Sequence, residues 1–163
     1  MHPIWTEADV TIDKLAEHLH ASGYVFLSQD KNRIWLRTET GISFSVALME
    51  EQKFIRLSTY FPLDSEQPLE KRRELERSLN AQILLPSFSI DSDNDLNIVY
   101  VVSYCFGLIP GQLMFLLKRF EGLLNYLVAK RNPDGLILLG KYQRRLAVPS
   151  LDDALPPQDV LLN

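Results

Sequence analysis

A chain of 163 residues, 46% hydrophobic and 23% charged, has the composition of one soluble globular domain and needs neither disulfides nor metals to hold a core. Seventeen basic against twenty-one acidic residues leave a net charge of −4, which argues against any general attraction to nucleic acid or anionic membranes. One cysteine excludes an intrachain disulfide, and three histidines leave little material for a zinc site.

Residues 1–9 carry Glu7 and Asp9 and no apolar run, unlike a signal peptide, so the chain reads as cytoplasmic. Thr11 suits the N-cap of a first helix ending near Gly23, with Ile12, Leu15, Ala16 and Leu19 on one face. The period then becomes two. Strands are predicted at 24–28 and 33–38, the second alternating Ile34 and Leu36 against Trp35 and Arg37. A third, at 42–48, sends Ile42, Phe44, Val46 and Leu48 to one face and Ser43, Ser45 and Ala47 to the other. A fourth follows at 54–61. Short polar turns between them make an antiparallel meander with one polar face.

Pro68 opens a second predicted helix, reaching about Ala81. Strands at 87–91 and 96–106 follow, the latter apolar on both faces and hence expected at the centre of the sheet. Residues 96–117 hold no charge and are long enough to span a membrane. Pro110-Gly111-Gln112 interrupts them, and the β-branched first half reads as a buried strand, so no membrane partner is expected. A third helix fills 111–130. The order helix, three to four strands, helix, two strands, helix indicates an α+β fold with an antiparallel sheet of five to six strands and three helices. Residues 1–131 form this domain. Residues 132–163 are an extension with Pro133, Pro149, Pro156 and Pro157. Its runs 136–139 and 160–162 are too apolar for a solvated tail, so docking on its own domain or a neighbouring subunit is expected.

The chemistry-bearing groups are sparse. Asp91, Asp93 and Asp95 alternate like the opening of a calcium loop, but Leu96 and Val102 stand where the glycine and glutamate belong. A turn is the better account. His18 and His20 lie about 200° apart on a helix and are expected to face solvent. Cys105 has no basic neighbour and reads as a packed, inert thiol. Gly107 and Gly111 lack the lysine of a phosphate loop and serve a strand-to-helix turn. The charge run at 70–77 compensates itself as a solvated helix face, and Lys141, Arg144 and Arg145 form only a short basic cluster. No catalytic residue, metal site or cofactor is assigned.

The third helix is more informative. Leu113, Leu116, Leu117, Phe120, Leu123, Leu124, Leu127 and Val128 form one apolar arc, with Lys118, Glu121 and Asn125 opposite. Phe115 and Tyr126 fall outside both, beside Gly122 and flanked by Arg119. Aromatics and arginine in excess of a core stripe suit either cover by the C-terminal extension or a contact with a partner or a second copy. Trp35, on the open sheet face, is a further candidate. The expected role is a protein-binding or regulatory module, dimeric, without nucleic-acid partners. The alternative is a small-molecule sensor with an apolar pocket between sheet and helices, anchored by Arg33 or Arg37.

Leu79-Asn80 ahead of Phe88-Ser89-Ile90-Asp91-Ser92-Asp93, followed by an apolar strand, Gly107 and a leucine-rich helix, resembles the YbjN family of bacterial sensory transduction regulators. The resemblance spans about residues 11–130. It implies the fold of type III secretion chaperones, which grip an extended chain on apolar sheet and helix surfaces. It also implies a non-catalytic domain that dimerises and binds protein segments, with no catalytic residues to carry over.

Overall fold

The computed structural model describes residues 4–132 and 134–139. Helix α1 spans Ile12–Ala21, capped as its sequence predicts: the Thr11 side chain accepts from the Lys14 amide at 3.2 Å. Gly23, at φ +86°, turns the chain into β1, Val25–Gln29. The meander continues through β2 (Arg33–Arg37), β3 (Ser43–Met49) and β4 (Phe54–Phe61). Helix α2 (Leu69–Gln82) leads to β5 (Ser87–Ile90), β6 (Leu96–Ser103) and α3 (Pro110–Lys130). Pro110 stands in the first turn of α3, where its missing N–H costs nothing.

The six strands form one antiparallel sheet in the order β1-β2-β3-β4-β6-β5. Alternation divides every strand between two faces. Ile34, Leu36, Phe44, Val46, Leu48, Ile55, Leu57, Phe61, Leu96 and Ile98 are buried on the side that the helices cover. There they meet Leu15 and Leu19 of α1, Leu79 of α2, and Leu113, Leu117, Phe120, Leu124 and Leu127 of α3. The Phe44 and Phe120 rings pack edge to face at 5.7 Å, fixing α3 on β3. Each such side chain taken from water contributes on the order of 1.5–3 kcal/mol to folding, before the entropy cost of ordering it. The opposite face has no helix over it among the described residues.

Three expectations need correction. Strand β6 ends at Ser103 and lies one place from the edge, covered on its outer side by β5 alone, so it is not central. Its apolar open face (Val99 half-buried, Val101 exposed) is surface. Cys105 consequently sits beyond the strand and is exposed, its sulfur accepting from the Ser103 hydroxyl at 3.2 Å. His18 is half-buried, edge to face with the Trp5 ring at 5.3 Å, whereas His20 is exposed as expected.

Two turns follow their sequence closely. Asp91 accepts the amides of Asp93 and Asp95 at 3.0 and 2.9 Å, and Asn94 adopts φ +66°, so the acidic run is a hairpin turn. Gly107 sits at φ +97° because Trp5 pairs with Leu108 through two backbone bonds of 2.8 Å, leaving no room for a side chain. After α3, Leu136, Ile137 and Leu139 are buried, and the backbone at 136–138 pairs with Pro62 and Asp64. The basic cluster at 141–145 and the apolar run 160–162 lie outside the described residues.

Candidate protein-contact surfaces

Helix α3 turns its leucine face to the sheet because leucines recur every three or four residues. The same 100° step gathers Phe115, Arg119, Gly122 and Tyr126 within an arc of about 60° on the opposite, outward side. Phe115 is 59% exposed and Tyr126 44%. The Arg119 guanidinium lies 5.7 Å from the Phe115 ring centroid, a cation–π contact between successive turns of the helix. A side chain at Gly122 would meet nothing within 4 Å. The four residues therefore form a stripe about 16 Å long, apolar at both ends and low in the middle.

The residues assigned to the polar side of α3 divide. Lys118 is exposed, but Asn125 accepts a 2.5 Å hydrogen bond from the Thr40 hydroxyl, tying α3 to the loop before β3. Glu121 is half-buried, and burial, then the nearby Glu39 charge, pushes its carboxyl up. Beside it, burial and the Glu121 charge push the Tyr24 hydroxyl up to about 12. Of the three, Lys118 alone is exposed, while Glu121 and Asn125 are half-buried.

Trp35 does not join the α3 stripe. It alternates with Ile34 and Leu36, which are core, so its side chain stands on the open face of the sheet, away from the helices. Arg33 and Arg37 share that parity. They are thus on the wrong side to anchor a ligand between sheet and helices, which corrects their proposed role in a sensor pocket. A cavity of about 290 Å³ lies elsewhere, between α2 and the chain after α3, with Lys71, Glu74, Ser78, Arg131 and Asp134 in its polar lining. The described residues contain no cluster of three or more metal-ligating side chains and no helix long and apolar enough to cross a membrane.

Sequence reasoning missed other surface groups. Arg56 is brought level with Arg33 only by strand register, through Arg33↔Ala47 and Ala47↔Arg56. Its parity with Ile55 and Leu57 was the available signal. Leu84, Leu85 and Phe106 are 86%, 74% and 99% exposed in loops, where no periodicity exists to place them.

Known proteins match this arrangement at two levels. The crystal structure of YbjN, described as a putative transcription regulator from E. coli, superposes with a TM-score of 0.65 at 18% identity, covering 78% of this chain and 96% of that one. A chain of the HopA1–SchA chaperone–effector complex superposes with a TM-score of 0.51 at 9% identity, covering 71% and 88%. At such identities the likeness is one of fold, and it is the fold of a type III secretion chaperone. No curated protein sequence matches. The YbjN family, described as "Putative bacterial sensory transduction regulator", matches residues 11–127. Its match covers most of the chain, including the sheet and nearly all of α3, and the chain belongs to the YbjN family.

Proposed function

We propose that this chain is a non-catalytic, protein-binding regulatory module that works as a homodimer joined through α3. Family and fold support the protein-binding reading. One observation carries the dimer: the exposed stripe is complementary to itself. When two copies of α3 pack antiparallel about a two-fold axis midway between Phe115 and Tyr126, each Phe115 meets the partner's Tyr126. Each Arg119 then meets the partner's Gly122. A two-fold interface requires this reciprocity, since the same patch must serve both sides. The aromatics supply buried area, and Gly122 leaves space for the arginine stem. The exposed, unpaired thiol of Cys105 suits a reducing compartment, in keeping with a cytoplasmic protein.

Cross-linking tests the pairing. A Phe115→Cys chain mixed with a Tyr126→Cys chain, both in a Cys105→Ser background, should oxidise to a covalent dimer that keeps one Phe115–Tyr126 contact. Each chain holds a single cysteine, so no internal disulfide competes. Monomer alone after oxidation would contradict the reading.

A further inference from the structure

The open face of the sheet carries a charge pattern unlike the rest of the molecule. The chain has twenty-one acidic residues and a net charge of −4, yet no Asp or Glu occurs in any of the six strands. The strands do hold Arg33, Arg37 and Arg56, and all three alternate outward, away from the helices. Acids are confined to helices, turns and termini, so the sheet face is a basic surface on an acidic protein.

Register gives that surface a shape. Arg33 and Arg56 stand in one row on either side of Ala47, two strand spacings or about 10 Å apart. In the next row Trp35 pairs with Ser45 and Ser45 with Ser58, whose hydroxyls lie 3.1 Å apart. Ala47 and Ser45 are small, face outward between longer neighbours, and are 5% and 1% exposed. The result is a low floor of small side chains between two guanidinium groups. The Arg33 guanidinium lies 5.7 Å from the Trp35 ring centroid, and the Arg56 Nε is enclosed with no hydrogen-bond partner. Among the described residues, neither Arg33 nor Arg56 pairs with a carboxylate. Val101, paired with Arg56, extends the first row, and Tyr60 stands two residues beyond Ser58 in the row after the second; both are exposed.

We propose that this face binds an extended, carboxylate-rich segment of a partner protein, with side-chain carboxylates seated over Ala47 between Arg33 and Arg56. Arginine forks match carboxylates in pairs of hydrogen bonds. The neighbouring Trp35, Tyr60 and Val101 take the apolar side chains of such a segment. A nucleic acid fits less well, because Arg33 and the strand neighbours restrict the ring of Trp35 as a platform for stacking bases. The inference rests on the reading of the chain as a protein-binding module and adds the chemistry of its partner. It uses a surface separate from α3, so the two can fail separately.

Fluorescence anisotropy of labelled polyglutamate, polylysine and oligothymidylate against the full chain tests it. Polyglutamate should bind, weaken as salt is raised, and lose about tenfold or more in affinity with Arg33→Gln plus Arg56→Gln. Arg33→Lys plus Arg56→Lys, which keeps the charge and loses the fork, should fall between the two. Thermal unfolding of each variant at the wild-type midpoint shows that the sheet is intact. Absent polyglutamate binding, equal binding by the Gln variant, or tighter binding of oligothymidylate would each overturn the proposal. An unchanged dimer mass in the same variants would leave the α3 reading standing.

Discussion

Asn80 holds Phe88 by both of its backbone groups: its side-chain nitrogen donates to the Phe88 carbonyl at 2.8 Å, and its side-chain oxygen accepts the Phe88 amide at 3.1 Å. The amide thus substitutes for a missing strand partner on the outer edge of β5, fastening the end of α2 to the sheet. Asn132 does the same after α3, holding the Ile137 amide and carbonyl at 2.7 and 2.9 Å. Each asparagine stands at the end of a helix and fastens the segment that follows: β5 after α2, and the stretch bridged to Leu63 after α3. The Leu79-Asn80 and Phe88 elements of the family resemblance therefore have a structural meaning, independent of any ligand.

Asn80→Ala removes both bonds and leaves two part-buried backbone groups without partners. It should cost about 1–3 kcal/mol in urea unfolding. Asn80→Asp keeps the acceptor alone and should fall between alanine and wild type. Wild-type stability in Asn80→Ala would show that the clamp is idle.

Gly107 and Gly111 should respond oppositely to alanine. At Gly107 a Cβ would stand 2.7 Å from the Trp5 carbonyl oxygen, and φ is +97°. The Trp5–Leu108 pairing must then break, and a loss of about 2 kcal/mol or more is expected, with a red shift of Trp5 fluorescence. Gly111 lies inside the first turn of α3 with open space around it, so Gly111→Ala should leave stability unchanged or raise it by up to about 1 kcal/mol.

The Tyr24–Glu121 contact predicts an alkaline transition. Burial first, and the Glu121 charge second, raise the folded Tyr24 hydroxyl from its ordinary 10.0 to about 12. Above the ordinary value the unfolded chain releases this proton before the folded chain does. Tyr24 therefore opposes unfolding fully below pH 10 and loses that contribution as pH rises towards 12. Tyrosinate absorbance should show one group titrating near 12, and Tyr24→Phe should remove it and flatten the alkaline fall in melting temperature. A Tyr24→Phe curve superimposable on wild type would contradict the assignment.

The fold was legible wherever one face of a strand is polar. In β3 the serines and alanine between Ile42, Phe44, Val46 and Leu48 mark the open face, and the strand lies within a residue of its expected limits. In β6 no such contrast exists, so its end was misplaced: Tyr104 continues the apolar run but is buried by its own tertiary contacts, its amide bonded to the Lys53 carbonyl at 2.9 Å. The outward stripe of α3 follows from helical period alone. The alignment of Arg33 with Arg56 does not, because two intervening turns set the register, and a shift of one residue would send either side chain to the other face. Trp35 was readable as surface, but only the layering shows that it and Tyr126 look in opposite directions.

Sedimentation equilibrium on the full chain and on Tyr126→Glu tests the central claim most directly. The account predicts a dimer mass for the wild type and a monomer mass for the variant, with the same circular dichroism, because a carboxylate opposite the partner's Phe115 must be desolvated without a partner. A monomeric wild type, or a Tyr126→Glu chain that stays dimeric, would contradict it.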